Sequence, residues 1–179
     1  MKPIIEYLST KVEQTKIKAT DETIYKIVRD ELDRLGHDAS LNHIDVSEVT
    51  NMYNLFSCMD DGLGSDYKDL NPDISKWDVS NVENMEYMFI HCIKFNSDIS
   101  NWDVSNVKTM RYMFWECEQF NCNISEWDVS NVEDMSLMFG KCKKFNQDIS
   151  WWNVVKVKKN NYMFDGCPIR EEFKPKFKI

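Results

Sequence analysis

The sequence has no apolar run that approaches the ~20 residues of a membrane span, and the chain carries charged residues throughout. It also shows no secretory leader. "MKPIIEYLSTKVEQ" sets Glu6, Lys11 and Glu13 among its apolar residues, where a leader has an unbroken apolar stretch and a small-residue cleavage site. The expectation is therefore a cytoplasmic chain without membrane insertion; a cell-surface or secreted location is the alternative if a leader was removed. Positive charge is short, 22 basic against 30 acidic residues, net −8. Nucleic acid, which needs a basic footprint, is excluded on that ground, and an anionic membrane surface is disfavoured. A basic protein partner is permitted. Histidine is limited to His37, His43 and His91, none of them recurrent. A nucleophile elbow, a phosphate loop and H-E-x-x-H are all missing, so no enzyme is expected. Of the six cysteines none forms a C-x-x-C, and Cys92, Cys117, Cys142 and Cys167 fall at one constant interval. They follow a repeat rather than a zinc or disulfide spacing and read as small buried apolar residues. No cofactor and no metal is expected.

What the sequence has in quantity is repetition. "WDVSNV" starts at Trp77, Trp102 and Trp127, and a decayed "WNVVKV" starts at Trp152, in equal steps. A first unit, "IDVSEVTNMYNLF…NPDISK", spans 44–76 with about eight extra residues, "MDDGLGSD". Self-similarity at this period signals an array of units that bury their faces against one another. In each unit the apolar residues recur at helical spacing: Val82, Met85, Met88, Phe89 and Cys92 in the second. That pattern predicts a helix of about three turns, with Ser80 as N-cap and Glu83 closing a capping box. Short β-type patches sit around Ile99 and Val104. The expected fold is an α/β solenoid, leucine-rich-repeat-like, of five coils, each with a short helix and short parallel strands.

The expected organisation has three parts: an N-terminal helical cap over 1–43, the repeats over 44–170 with units starting at 44, 77, 102, 127 and 152, and a C-terminal cap strand over 171–179. The cap helix is predicted from about Thr20 to Leu35, with Thr20 or Asp21 as its cap, Ile24, Ile27, Val28, Leu32 and Leu35 on its apolar face, and Gly36 at its end. The segment 1–18 is ambiguous between helix and strand.

The pattern W-D-V-S-N-V-x-x-M-x-x-M-F-x-x-C-x-x-F-N-x-D-I-S resembles the 25-residue repeat of the BspA-like leucine-rich-repeat proteins of bacteria, over about residues 44–170. The resemblance implies a leucine-rich-repeat-type fold and a binding role, adhesion at a surface among them. It brings no catalytic residues with it.

Three kinds of column run through the repeats. Asn71, Asn96, Asn121 and Asn146 are read as a structural ladder of side-chain amides. Trp77, Trp102, Trp127 and Trp152 are read as core. Asp78, Asp103 and Asp128, with Asp45 before and Asn153 after, form one acidic column; Asp73, Asp98, Asn123 and Asp148 form another. Such columns suit either a stacked calcium site or carboxylates that each accept N–H bonds in their own turn. Asn standing in for Asp favours the second reading.

Function is sought where a column breaks. Trp115 stands where other units have Ile90, Gly140 and Asp165, and Trp151 where they have Lys76, Asn101 and Glu126. Tyr87, Tyr112 and Tyr162, with Leu137, occupy an outward position. Trp115, Tyr87, Tyr112, Tyr162 and Trp151, together with the acidic Asp78, Asp103 and Asp128, are the candidate partner-binding residues. The expected function is a non-enzymatic protein–protein interaction module. Two alternatives stay open: a small acidic inhibitor or immunity-type protein that blocks a basic enzyme or toxin, and a surface adhesin fragment. The oligomeric state is left open by the sequence.

Overall fold

The computed structural model describes residues 16–177. Among them there is one α-helix, α1 (Ile24–Leu35), and one two-stranded parallel sheet of β1 (Ile17–Lys18) and β2 (Ile44–Asp45), paired Ile17 to Ile44. This overturns the expected five-coil α/β solenoid: no unit contains an α-helix, and apart from the two-residue β2 in the first unit the strands that were to line one face are absent. The ambiguous N-terminal segment falls mostly outside the described residues. Over the expected C-terminal cap strand, Glu171–Phe173 forms a 3-10 turn, and residues 178–179 lie outside the described part.

The units are built of reverse turns. In the second unit the N–H groups of Met88, Ile90 and Cys92 bond back three residues, to the carbonyls of Met85, Tyr87 and Phe89. The alternate N–H groups, on Met85, Tyr87, Phe89 and His91, donate instead to the next unit, at Thr109, Arg111, Met113 and Trp115, over 2.8–3.1 Å. Half of the donors that an α-helix would need are thus used between units. From the second unit on, two residues per unit also sit in the left-handed region, Tyr87 and His91 in the second and Tyr112 and Glu116 in the third, at φ 57–62°. A non-glycine residue there costs about 1 kcal/mol, and a helix cannot pass through it. A turn brings the chain back to the same side every three residues, as a helix does, which is why the apolar spacing imitated one.

Ser80 is therefore no helix cap. Its N–H and Oγ bond Asp78 Oδ1, at 3.1 and 2.6 Å. The same Asx turn recurs at Asp45 with Ser47, Asp103 with Ser105 and Asp128 with Ser130, and in the second column at Asp73, Asp98, Asn123 and Asp148. The acceptor matters in these turns, and Asn123 supplies it without a charge.

Successive units lie in parallel register, marked by single bridges from Asn51 to Asn84, Thr109, Asp134 and Lys159 in turn. Two amide columns bind them in opposite senses. Asn71, Asn96 and Asn121 each accept, through Oδ1, the N–H of the equivalent residue in the next unit. Asn81, Asn106 and Asn131 each donate, through Nδ2, to a carbonyl of the unit before. The interior is aromatic. Phe56, Phe89, Phe114, Phe139 and Phe164 stack 5.2–5.8 Å apart with their planes within 8°. Phe95, Phe120 and Phe145 form a second stack beside them. The column tryptophans are 4–5% exposed, and Nε1 of each bonds a buried backbone carbonyl. Across the surface, opposite charges at equivalent places in adjacent units pair up: Lys108 with Glu83, Lys158 with Glu133 and Lys143 with Glu118. Each exposed pair contributes only a few tenths of a kcal/mol, but as a set they penalise a slipped register.

α1 packs Ile24, Val28 and Leu32 into the same core, while Leu35 is exposed. It starts later than the sequence suggests, with Thr23 at its N-cap position. Asp21 does not cap it; its carboxylate accepts the N–H groups of Thr50 and Asn51, at 2.8 and 3.1 Å, and so ties the helix to the first unit. The eight-residue insertion is held there too. Arg29 of α1 donates to the Gly62 carbonyl at 2.7 Å, Tyr67 bonds Asp33, and His37 stacks on Tyr67.

Candidate functional site

The left-handed positions of successive units bring Tyr87 and Tyr112 side by side, with rings 4.9 Å apart and 15° from parallel. Trp115 closes one end against Tyr112, at 5.6 Å and edge-on. Tyr53 closes the other against Tyr87, at 5.7 Å. Arg111 lies over both tyrosines, 4.9 Å from the Tyr112 ring and 5.6 Å from that of Tyr87. Its guanidinium is held by Glu86 Oε1 at 2.9 Å, and this bond keeps it charged more firmly than usual. Partial burial pushes the Tyr87 phenol up, so it is a neutral hydrogen-bonding group in the strip.

Trp115 is fixed from both sides. Its indole covers Gly140: a Cβ built there would lie 2.1 Å from Trp115 Cζ3. Lys141 places Nζ 4.9 Å from the ring while pairing with Glu116 at 2.5 Å, and Glu116 also takes His91 Nδ1 at 2.8 Å. The Lys141 bond, with a further contribution from His91, holds the Glu116 carboxyl below its usual range. The result is a half-exposed strip, Tyr53–Tyr87–Tyr112–Trp115, crossed by one arginine and fastened by ion pairs beneath it. Rigid amphipathic rings with few rotamers lose little entropy on contact with a partner, and Arg over Tyr adds a cation–π component.

Three of the sequence-derived site residues, Tyr87, Tyr112 and Trp115, are brought together here. Tyr162 is not among them; it belongs to the same column, two units after Tyr112, beyond the half-buried Leu137, and is 74% exposed. Trp151 is 88% exposed and sits next to the buried Trp152, in the part of the unit that carries the Asx turns. Asp78, Asp103 and Asp128 are also in that part, each engaged with its own serine. Sequence reasoning missed Tyr53, Arg111 and Lys141. Arg111 breaks a column otherwise filled by Tyr53, Glu86, Ser136 and Asn161. The signal for the Trp115 seat was a tryptophan in one unit followed by glycine at the same place in the next.

The turns and the strip define a repeat protein whose stacked units carry a preformed aromatic and cationic surface. The family described as "Mycoplasma protein of unknown function, DUF285" matches residues 32–119 and 59–176, and the chain belongs to that family, one of BspA-like type. No curated protein and no solved structure matches the chain. Among the described residues no helix is long and apolar enough to cross a membrane.

Proposed function

We propose that this chain is a non-enzymatic protein-binding module that engages its partner through the Tyr53–Tyr87–Tyr112–Trp115 strip with Arg111. The observation that carries the reading is the ordered row of four half-exposed rings, the central pair stacked and the outer two edge-on, with a guanidinium across it. Aromatic and arginine side chains of this kind are the usual anchors of protein interfaces. The 25-residue motif is read as a BspA-like repeat in which Trp, Val, Met and Phe are structural and the strip is individual to this chain. The test is affinity capture from the source cell with the native chain and with a Tyr112→Ala, Trp115→Ala double variant, read by mass spectrometry. The reading requires specific partners that the double variant loses; it is abandoned if every partner of the native chain is still bound.

A second reading, an acidic inhibitor of a basic surface, is favoured by the net charge of −8 and by the two Asp columns, which expose carboxylates on several units. It requires binding that weakens steeply with ionic strength and that survives the double variant.

A further inference from the structure

The two ends of the stack differ. Upstream, α1 and β1 cover the first unit through its core contacts, Asp21 and Arg29. Downstream, the fifth unit repeats the turns of the others, with Met163, Asp165 and Cys167 bonding back to Asn160, Tyr162 and Phe164. The alternate N–H groups are those of Asn160, Tyr162, Phe164 and Gly166. Their equivalents in every earlier unit donate to the following one, for example Met135, Leu137, Phe139 and Lys141 to Lys159, Asn161, Met163 and Asp165. Among the described residues these four donors have no acceptor. The segment after them does not supply one. It lays Phe173 and Lys174 over the end of the core and is tied to the fourth unit by two bonds, from the Ile149 N–H to the Phe173 carbonyl and from the Arg170 N–H to Asn146 Oδ1. A cavity of about 390 Å³ remains between Met163, Phe164 and Pro175.

The charges beside this edge have a consistent order. One column reads Glu83, Lys108, Glu133, Lys158, so that Lys108 lies between two carboxylates while Lys158 has one, Glu133, at 2.7 Å on its upstream side. Lys159 likewise pairs upstream, with Asp134 at 3.7 Å. A row of unpaired donors on alternate residues is a template for an added extended segment. Here it is flanked by lysines on a chain that is otherwise acidic. A second copy does not complete it: its downstream edge offers the same donors and lysines, and its upstream edge is covered.

We propose that the edge formed by Asn160, Tyr162, Phe164 and Gly166 binds an extended acidic peptide segment of another protein, in parallel register. Its carbonyls accept the four N–H groups, and a carboxylate meets Lys158. The segment that follows Lys108 within this chain shows the required chemistry: Glu133 comes next in the charge column, and the carbonyls of Asp134, Ser136, Met138 and Gly140 take the bonds.

The test uses the full chain, labelled with ¹⁵N, and a synthetic peptide with the sequence of residues 129–140, in which Glu133 and Asp134 are the charged side chains. Amide exchange is followed by NMR with and without the peptide. The expected result is exchange slowed about tenfold or more at Asn160, Tyr162, Phe164 and Gly166 on saturation, with Met163, Asp165 and Cys167 unchanged because their turn bonds exist already. A peptide carrying Glu133→Lys should bind about tenfold more weakly, and Lys158→Glu in the protein should reverse that preference. Full protection of the four amides in the free chain overturns the proposal. So does binding that leaves them exchanging freely, binding indifferent to the charge swap, or no binding at millimolar peptide.

Discussion

Replacing Phe114 by alanine tests how the units hold together. Phe114 is fully buried and touches five rings: Phe89 at 5.6 Å, Phe139 at 5.7 Å, Phe120 at 4.0 Å, Phe95 at 6.3 Å and Trp127 at 6.4 Å. Burial and cavity effects for Phe→Ala run to about 3–5 kcal/mol. The lost ring pairs place this site at the upper end, about 4–5 kcal/mol, because neighbours fixed by bonds on both sides cannot collapse into the void. Phe164 occupies the same column in the last unit, is only half buried, and stacks on a single ring, Phe139 at 5.8 Å. Phe164→Ala is therefore expected to cost less than half as much, about 2 kcal/mol. Urea denaturation followed by tryptophan fluorescence measures both, since the column tryptophans are buried among these rings. Nearest-neighbour coupling also predicts that Phe114→Ala lowers the cooperativity of the transition and Phe164→Ala leaves it intact. Equal losses at the two sites, or a loss under about 1.5 kcal/mol at Phe114, would refute the reasoning.

Gly140→Ala should expel the Trp115 indole from its seat. The expected effects are a red-shifted, more quenchable Trp115 emission, a stability loss of about 1–2 kcal/mol from the broken Tyr112 and Lys141 contacts, and loss of strip-dependent partner binding. At the Asx turns, Asp128→Asn should change stability by a few tenths of a kcal/mol and Asp128→Ala by about 1, a difference readable in thermal melts. The carboxyls of Asp45, Asp73, Asp98, Asp128 and Asp148 are held below their ordinary range, foremost by the serine hydroxyl two residues on. Their stabilisation is thus complete above the unfolded value of about 3.9 and is lost as pH falls through the depressed folded values. Stability between pH 7 and 5 should be flat with respect to these groups, and an acid unfolding limb should appear below about pH 4 that is shallower in a triple Asp→Asn variant.

The repeats, their columns and the buried residues were legible because self-similarity at a fixed period marks positions that meet their own copies. The tryptophans proved to be core, and the acidic columns are held in turns that tolerate Asn. The helices were not there to be found: Val82, Met85, Met88 and Cys92 return to one side of the chain at spacings of three and four in turns as they would in a helix. Only the partners of the alternate N–H groups separate the two, and these lie in the next unit, where local patterning has no view. Within the site, Tyr87, Tyr112 and Trp115 were visible as outward or column-breaking aromatics. Tyr53 and Arg111 were not, because their proximity to those rings depends on the stacking of units rather than on any one unit. Asp21 was assigned to the nearest helix end, whereas the structure gives it to Thr50 and Asn51.

The central structural claim is that the alternate N–H groups of each unit bond the next unit. Scalar couplings across hydrogen bonds, measured by NMR on the ¹⁵N,¹³C-labelled chain, report donor and acceptor directly. Couplings are predicted from the nitrogens of Met85, Tyr87, Phe89 and His91 to the carbonyl carbons of Thr109, Arg111, Met113 and Trp115. Couplings from these nitrogens to carbonyls four residues earlier, as in an α-helix, would contradict it.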